Sequence, residues 1–272
     1  VLIHETEVGS YLAQIEMATA HGDDTIIAWT LDRSENNEPD YDVEALVLTS
    51  EFDTLSPLLE VSGAKPKNQM LGAVDMFSDG GFVVVYQDET GDVSGSGVLA
   101  SRYDAAQSSL GKSIVHLTVF DDQKMPSVVV LSGDDYVVSF LGPDNNVFTR
   151  RFDHDGTAVT GALEQRSMLT SAGDQRHGAG AQDELGNSII VVQSPFAGNS
   201  GTEIVGRRFN SGGLPITDEF MVNTTLENDQ SEPAIAGGPD GFVVVWAVNG
   251  PSPGLYGRLM EPDGTFASDV FE

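Results

Sequence analysis

The sequence predicts an all-β fold, a single five-bladed β-propeller with four antiparallel strands in each blade. The first observation is a segment that recurs five times: a Gln, a strand of small residues, a Gly/Asp turn and an apolar run. The apolar runs end at Trp29, Tyr86, Phe140, Gln193 and Trp246, with separations of 57, 54, 53 and 53 residues. A fixed period of this size indicates a propeller, a solenoid or an array.

The second observation is the character of the apolar runs. Phe82-Val-Val-Val-Tyr86 and Phe242-Val-Val-Val-Trp246 show no polar alternation, which indicates strands buried on both faces, as in the middle of a propeller blade. No helical period is visible. The third observation is that Val1–Thr6 resembles Met221–Thr225. We therefore expect the N-terminal segment to supply the outer strand of the last blade and so remove an open sheet edge.

The elements of one unit follow from the last repeat. The first strand is Pro233–Gly237, the turn Pro239–Gly241 supplies Gly and Asp for a tight reversal, and Phe242–Trp246 is the second strand. In the preceding unit the third strand carries Arg207-Arg-Phe209, and the fourth reads Asp218–Thr224. The predicted blades span approximately residues 11–62, 63–119, 120–170, 171–225, and 226–272 together with 1–8.

Composition limits the partners of this chain. Its 272 residues carry 42 Asp and Glu against 13 Lys and Arg, a formal net charge of −29, so nucleic acid and anionic surfaces would be repelled. No apolar run approaches the roughly 18 residues of a membrane span. There is no cysteine, which excludes disulfides and thiolate chemistry. We expect a monomer or part of a larger chain, without membrane insertion or nucleic-acid binding.

The repeat resembles the tandem repeats of large secreted bacterial proteins that often accompany RTX-type calcium-binding repeats. The residues that carry the resemblance are Asp229–Trp246 and Asp218–Thr224, with Asp79–Tyr86 as an earlier copy. The resemblance implies an extracellular setting, secreted or at the cell surface, and an adhesive or matrix role. It supplies no catalytic residue. By architecture alone, the five-fold count is also similar to five-bladed lectins of the tachylectin type.

One candidate binding surface combines the repeated Gln with the repeated aromatic residue. Topology places both at one rim, together with the variable loops between second and third strands, where binding surfaces usually lie. Amides would meet ligand hydroxyls and rings would offer apolar faces to a sugar. The alternative is that Gln satisfies buried backbone groups while the aromatics form core. The candidate ligand-binding residues are Gln14, Gln69, Gln123, Gln175, Gln230, Trp29, Tyr86 and Trp246.

A second candidate is a calcium site in the acidic loops of the first two units. Carboxylates on a flexible backbone suit calcium, which takes six to eight oxygen ligands. Neither loop has EF-hand spacing, and a solvated acidic rim is the alternative. The candidate metal ligands are Asp32, Asp40, Asp42, Asp88 and Asp92.

The function favoured by these patterns is a non-enzymatic binding module of a secreted bacterial protein that recognises a glycan or another cell-surface polymer, with no catalytic residues. The first alternative is a glycoside hydrolase or lyase that uses Glu16 or Asp75 with a loop carboxylate, since such chemistry needs paired acids. A structural spacer of a large adhesin is the second alternative. The repeated arginines, such as Arg151 and Arg208, are interpreted as braces between neighbouring blades.

Overall fold

In the computed structural model, the described part of the chain consists of β-strands joined by turns and loops. The described residues are 11–19, 24–34, 39–51, 53, 57–63, 68–92, 94–159, 165–166, 175–183, 186–195, 201–250 and 253–272. The predicted closing strand within residues 1–8 lies outside these ranges. The described strands form five separate antiparallel sheets of three or four strands, so the all-β prediction is confirmed. The closed ring and the count of five blades stay predictions.

The chain divides into two compact units, Val1–Val130 and Leu131–Glu272. Two sheets of the first unit have the strand orders β1-β2-β3-β4 and β5-β6-β7-β8. The described strands of this unit are β1 (Tyr11–Thr19), β2 (Thr25–Asp32), β3 (Tyr41–Leu48), β4 (Leu59–Glu60), β5 (Gln69–Met76), β6 (Phe82–Asp88), β7 (Gly97–Tyr103), β8 (Ser109–Ile114) and β9 (Lys124–Val130).

In the second unit, β10, β11 and β12 are successive antiparallel neighbours, and the remaining sheets have the orders β13-β14-β15-β16 and β17-β18-β19. The described strands of this unit are β10 (Tyr136–Leu141), β11 (Val147–Phe152), β12 (Gln165–Arg166), β13 (Arg176–Gln182), β14 (Ser188–Pro195), β15 (Thr202–Phe209), β16 (Phe220–Met221), β17 (Asp229–Gly238), β18 (Gly241–Asn249) and β19 (Gly254–Met260). A 3-10 turn spans Pro143–Asn145. No helix in the described ranges is long and apolar enough to cross a membrane.

The second strand of each predicted repeat forms core, as the uninterrupted apolar runs predict. Phe82–Tyr86 of β6 is buried throughout, beside Ile26 of β2. In the second unit, Ile189 and Val191 of β14 pack in one cluster with Val244 of β18. Burial of these branched and aromatic side chains is the main favourable term for the fold. The outer strand predicted at Asp218–Thr224 is shorter than expected, with Phe220–Met221 forming β16, and β4 is also two residues long.

A β-bulge, which the sequence pattern does not predict, interrupts the first strand of four sheets. The register shifts between Ala13 and Ile15 in β1, between Leu71 and Ala73 in β5, between Arg176 and Ala179 in β13, and between Ser231 and Ala234 in β17. Two bulge residues, Gln14 and Glu232, have positive φ angles of 49° and 50°. A bulge bends the strand and redirects the neighbouring side chains.

Candidate active site in the last sheet

A cavity of about 120 Å³ opens at the rim of the sheet β17-β18-β19. Its size compares with that of an engineered ~150 Å³ cavity that holds one benzene ring. The lining combines aromatic and aliphatic side chains with amides, hydroxyls and one carboxylate. The lining residues are Asn223, Thr224, Thr225, Glu227, Asn228, Gln230, Trp246, Val248, Tyr256 and Val270.

Two aromatic residues on neighbouring strands form the apolar wall. Trp246 of β18 and Tyr256 of β19 are directly opposite each other in the antiparallel register. Such cross-strand pairs place their side chains on the same face of the sheet. Trp246 is buried, while the Tyr256 ring is half-buried at the cavity. The wall is therefore rigid at the indole and accessible at the phenol.

Gln230 fixes the floor of the cavity. Its Oε1 accepts a hydrogen bond of 2.8 Å from Trp246 Nε1. Its Nε2 donates to the carbonyl oxygens of Glu227 and Asn228 at 3.1 and 3.4 Å. The buried amide thereby joins β17 to β18 and holds the preceding loop in place.

Asn223 holds the other end of the same loop. Its Oδ1 accepts a 2.8 Å bond from the backbone N–H of Ile204, and its Nδ2 donates to the Thr225 carbonyl at 2.9 Å and to the buried carboxylate of Glu203. Asn223 and Gln230 therefore use their amides to build the cavity. The lining groups placed to meet a ligand include the exposed Thr224, Thr225, Glu227 and Asn228 and the phenol of Tyr256.

A second carboxylate lies close to this wall. A Cβ added to Gly254 would be 3.1 Å from Glu272 Oε1 and 3.0 Å from Tyr256 Cε2. Glu272 therefore lies beside the Tyr256 ring, two residues beyond the lining residue Val270. The described lining contains no Lys, Arg or His.

The predicted Gln residues are chiefly structural in the other repeats. Gln69, Gln123 and Gln175 are completely buried. Gln69 Nε2 donates to Asp88 Oδ1 at 3.3 Å. Gln123 Nε2 donates to the carbonyl oxygens of Phe120 and Asp121 at 2.9 and 2.8 Å. Gln175 Oε1 accepts a 2.8 Å bond from the backbone N–H of Val147. These contacts favour the backbone-satisfying alternative, and direct ligand binding by these residues stays a prediction.

Gln14 is not equivalent to the other repeated glutamines. In β1, Ala13 faces Thr30, the residue after Trp29, just as Ser231 faces Ala247, the residue after Trp246. Leu12 therefore holds the register of Gln230, and Gln14 occupies the bulge. Its exposed side chain donates to the Gly72 carbonyl at 3.5 Å. The sequence match is two residues out of register, because Gln14 holds the bulge position that Glu232 holds in β17.

Trp29 and Tyr86 do not present ring faces to a ligand. Both are buried, with 2% and 0% of their surface exposed. Trp29 Nε1 donates to Glu44 Oε2 at 3.2 Å, and the Tyr86 hydroxyl accepts from Ser101 Oγ at 3.4 Å. Burial raises the pKa of Tyr86 to about 12. Of the three predicted aromatics, only Trp246 lines the described cavity.

Three of the five predicted calcium ligands have other partners within the protein. Asp42 pairs with Arg33 at 2.7 Å, and burial raises the pKa of Asp42 against the opposing effect of Arg33. Asp88 accepts from Gln69 and Thr90, and Asp32 Oδ1 accepts from the Ser34 N–H at 2.9 Å. Asp40 and Asp92 are the other two residues predicted as calcium ligands. The described ranges contain no group of three or more His, Cys, Asp or Glu arranged to hold a metal ion. Calcium binding stays a prediction.

The acids of the enzymatic alternative lie in the first unit. Asp75 of β5 accepts backbone N–H bonds from Met76 at 2.8 Å and Val130 at 2.7 Å. Burial raises its pKa to about 6. Burial also raises the pKa of Glu16 in β1. Both oxygens of Asp75 accept strand N–H groups, so its clear role is to tie β5 to β9.

Two repeated arginines brace successive sheets of the second unit, as interpreted from sequence. Arg151 forms a two-pronged contact with Asp135 Oδ2, through Nε at 2.9 Å and an NH2 group at 2.7 Å, and also donates to the Ser211 carbonyl. Arg208 donates to the carbonyls of Pro262 and Asp263. These guanidinium groups therefore bind backbone carbonyls of the following sheet and stabilise the packing between sheets.

Comparison with known proteins identifies the fold class. No protein-family model and no curated protein matches the chain. A protein of unknown function from Dyadobacter fermentans is similar over 97% of this chain and 83% of its own, at 10% identity and a TM-score of 0.64. An ulvan lyase, described as a new family of polysaccharide lyase, is 11% identical over 94% and 69%, with a TM-score of 0.55.

An exo-1,5-α-L-arabinanase from a bovine ruminal metagenomic library is also similar. It is 12% identical over 96% of this chain and 97% of its own, with a TM-score of 0.53. At these identities the likeness concerns the fold, which is all-β and propeller-like. The leading expectation of a non-enzymatic binding module is contradicted, because the similar structures include a polysaccharide lyase and an arabinanase.

Proposed function

We propose that this protein is an enzyme that cleaves a glycosidic bond, with its active site at the cavity of the last sheet. The observation that carries the proposal is the combination in that cavity of an aromatic wall, Trp246 and Tyr256, with the carboxylate of Glu227. Pockets that take small ligands are mostly apolar with a few placed polar groups. The named activities of the similar lyase and arabinanase agree with this chemistry.

Hydrolysis is the reaction that the charges favour. A hydrolase needs one carboxyl to protonate the leaving oxygen and a second carboxylate to act as base or nucleophile. Glu227 at the cavity and Glu272 beside Tyr256 supply two carboxylates. In the net reaction one water adds across the bond, giving a new hydroxyl on each product. A lyase would have to neutralise a substrate carboxylate, and the described lining has no cationic side chain.

The test is an activity assay on a panel of polysaccharides and oligosaccharides. New reducing ends report hydrolysis, and ultraviolet absorbance of an unsaturated product reports elimination. Glu227→Gln and Glu272→Gln should each lower kcat by about 10²-fold or more, with unchanged melting. Glu261→Gln, an exposed glutamate of the same unit outside the cavity, is the matched control. Failure to cleave any glycan, or wild-type turnover by Glu227→Gln, would contradict the proposal.

The anomeric configuration of the first product would refine the mechanism. Retention requires two carboxyl groups about 5 Å apart, whereas inversion requires roughly 6.5–9.5 Å. Proton NMR during the first turnovers distinguishes them.

The finer architecture and setting belong to the same proposal. Five sheets and a sequence period of 53 to 57 residues support five blades closed by the N-terminal segment. The resemblance of Asp229–Trp246 to repeats of secreted bacterial proteins supports an extracellular location.

A further inference from the structure

We propose that the cavity of the last sheet is a subsite for one uncharged sugar ring and that it rejects uronic acids and sulfated sugars. This inference rests on the proposed function, because it names the substrate class of the same site. Three features of the described residues support it: the size of the cavity, the accessible phenol ring, and the sign of the surrounding charge.

The size of the cavity selects one ring rather than a chain segment. At about 120 Å³ it is slightly smaller than the ~150 Å³ cavity that encloses benzene. A sugar ring with its hydroxyls is larger than benzene, so a single ring would place one face in the cavity and leave the rest at its open rim. Its walls are rigid because Gln230 and Asn223 are fixed by hydrogen bonds to the backbone and to buried side chains. A fixed cavity loses little conformational entropy when the ring binds.

The phenol ring of Tyr256 is the surface on which the sugar would lie. It is half-buried and paired across the strands with the buried Trp246. The C–H face of a sugar ring is apolar and suits an aromatic face, while its rim of hydroxyls needs donors and acceptors. Thr224, Thr225 and Asn228 provide hydroxyl and amide groups at the cavity.

The charge of the cavity disfavours an anionic sugar. The charged side chain in the described lining is Glu227, and the carboxylate of Glu272 lies next to Tyr256. The cation on the same strand, Arg258, donates to the Val222 and Ser268 carbonyls and lies 3.4 Å from the centroid of the Phe266 ring. The Arg258 guanidinium is therefore used in contacts within the protein and does not neutralise the charge of the cavity. Like charges repel each other even where water screens them.

Binding of matched sugar pairs tests the inference directly. Saturation-transfer NMR and calorimetry would compare glucose with glucuronic acid and galactose with galacturonic acid, with arabinose and mannose as further neutral probes. We expect at least one neutral sugar to bind, and at least tenfold tighter than its uronic acid. Glu227→Gln should reduce this preference, whereas Glu261→Gln should leave it unchanged.

Adjacent residues on β19 provide the control for location. Tyr256→Ala should weaken binding of the neutral sugar at least tenfold. Leu255→Ala should not, because Leu255 is 65% exposed and lies outside the cavity lining. Unchanged circular dichroism of both variants would separate lost binding from lost folding.

The outcomes distinguish this inference from the proposed function. If no glycan is cleaved but neutral sugars bind through Tyr256, the enzymatic proposal fails and the subsite stands. If a charged polymer is cleaved and its uronic acid binds through Tyr256, the inference is overturned and the enzymatic proposal stands. Absence of binding by every sugar, or binding unaffected by Tyr256→Ala, would also overturn the inference.

Discussion

The indole Nε1 of Trp246 donates a 2.8 Å hydrogen bond to Gln230 Oε1 in the interior of the last sheet. The other end of the same amide holds the backbone that carries Glu227. A single buried side chain thus connects the aromatic wall of the cavity to the loop that bears its carboxylate. Loss of this connection would affect both stability and the position of Glu227.

We expect Trp246→Phe to destabilise the protein by about 1–3 kcal/mol, because the buried Gln230 Oε1 loses its donor. The measurement is urea unfolding followed by circular dichroism. Tyr256→Phe is the matched control, since it keeps an aromatic ring opposite position 246 and leaves the Gln230 contacts intact. Equal unfolding midpoints for wild type and Trp246→Phe would show that this hydrogen bond contributes no stability.

Asp75 should make folding less favourable as the pH rises. Its pKa is about 6 in the folded protein against an ordinary value of 3.8, so the folded state binds the proton more tightly than the unfolded state. The contribution is fully present below about pH 4 and is lost as the pH rises through about 6. A shift of about two units in the pKa of Asp75 corresponds to a change of roughly 3 kcal/mol in the free energy of unfolding.

Asp75→Asn isolates this effect from the many other carboxylates. The variant resembles the protonated form, so its free energy of unfolding relative to wild type should increase between pH 4 and pH 7. Denaturant titrations across this range measure the difference. Asp79→Asn is the comparison, because Asp79 lies in an exposed turn. A constant difference between Asp75→Asn and wild type at every pH would contradict the expectation.

Gly237 and Gly238 offer a neighbouring pair with opposite expectations. A Cβ at Gly237 would overlap the carbonyl oxygen of Gln182 on β13, whereas a Cβ at Gly238 would meet nothing within 4 Å. Gly237→Ala should therefore cost about 1–3 kcal/mol or more through overpacking. Gly238→Ala should change stability by less than about 0.5 kcal/mol. Thermal and chemical melts of the two variants decide the matter, and similar values for both would contradict the close approach of β17 and β13.

Arg33 should stabilise the first unit by compensating a buried carboxylate. It donates to Glu44 Oε1 at 2.8 Å, and the Glu44 side chain is only 2% exposed. Arg33→Met would leave this charge unpaired. Breaking a buried pair costs about 3–5 kcal/mol, and the partial exposure of Arg33 reduces the expected loss to about 2 kcal/mol.

A second substitution tests the cause of that loss. Glu44→Gln removes the charge but keeps an oxygen that can accept the Trp29 Nε1–H bond. The double variant Arg33→Met/Glu44→Gln should therefore be more stable than Arg33→Met alone. Additive losses in the double-mutant cycle would show that the two side chains are not coupled.

The buried strands of this fold could be predicted because each is a short, continuous run of apolar residues in the sequence. Phe82–Tyr86 is apolar at every position, and the structure buries it completely. The period of the repeat predicts five apolar second strands, and the structure has them as β2, β6, β10, β14 and β18. The fourth strand at Asp218–Thr224 is predicted too long because the whole segment has strand-like composition. In the structure the strand is Phe220–Met221, with one further backbone hydrogen bond from Val222 to Ile204 of β15.

The candidate site could be predicted only in part. The pairing of a repeated Gln with a repeated aromatic was predicted at Gln230 and Trp246, which line the described cavity. Tyr256, Glu227 and Glu272 were missed, because their approach depends on a loop and on the register of β19. Gln14 is out of register because Leu12 holds the position of Gln230 in this repeat, while Gln14 corresponds to the bulge residue Glu232. Sequence spacing alone does not reveal this register.

The two tryptophans of the chain, Trp29 and Trp246, lie one in each compact unit, and both are buried with their indole N–H groups bonded to side chains. Their fluorescence will therefore be an independent optical signal for each half of the molecule. In single-tryptophan variants, coincident emission changes during denaturation would mean that the halves melt as one cooperative unit. Separate transitions would reveal an intermediate in which one half keeps its core while the other has lost it.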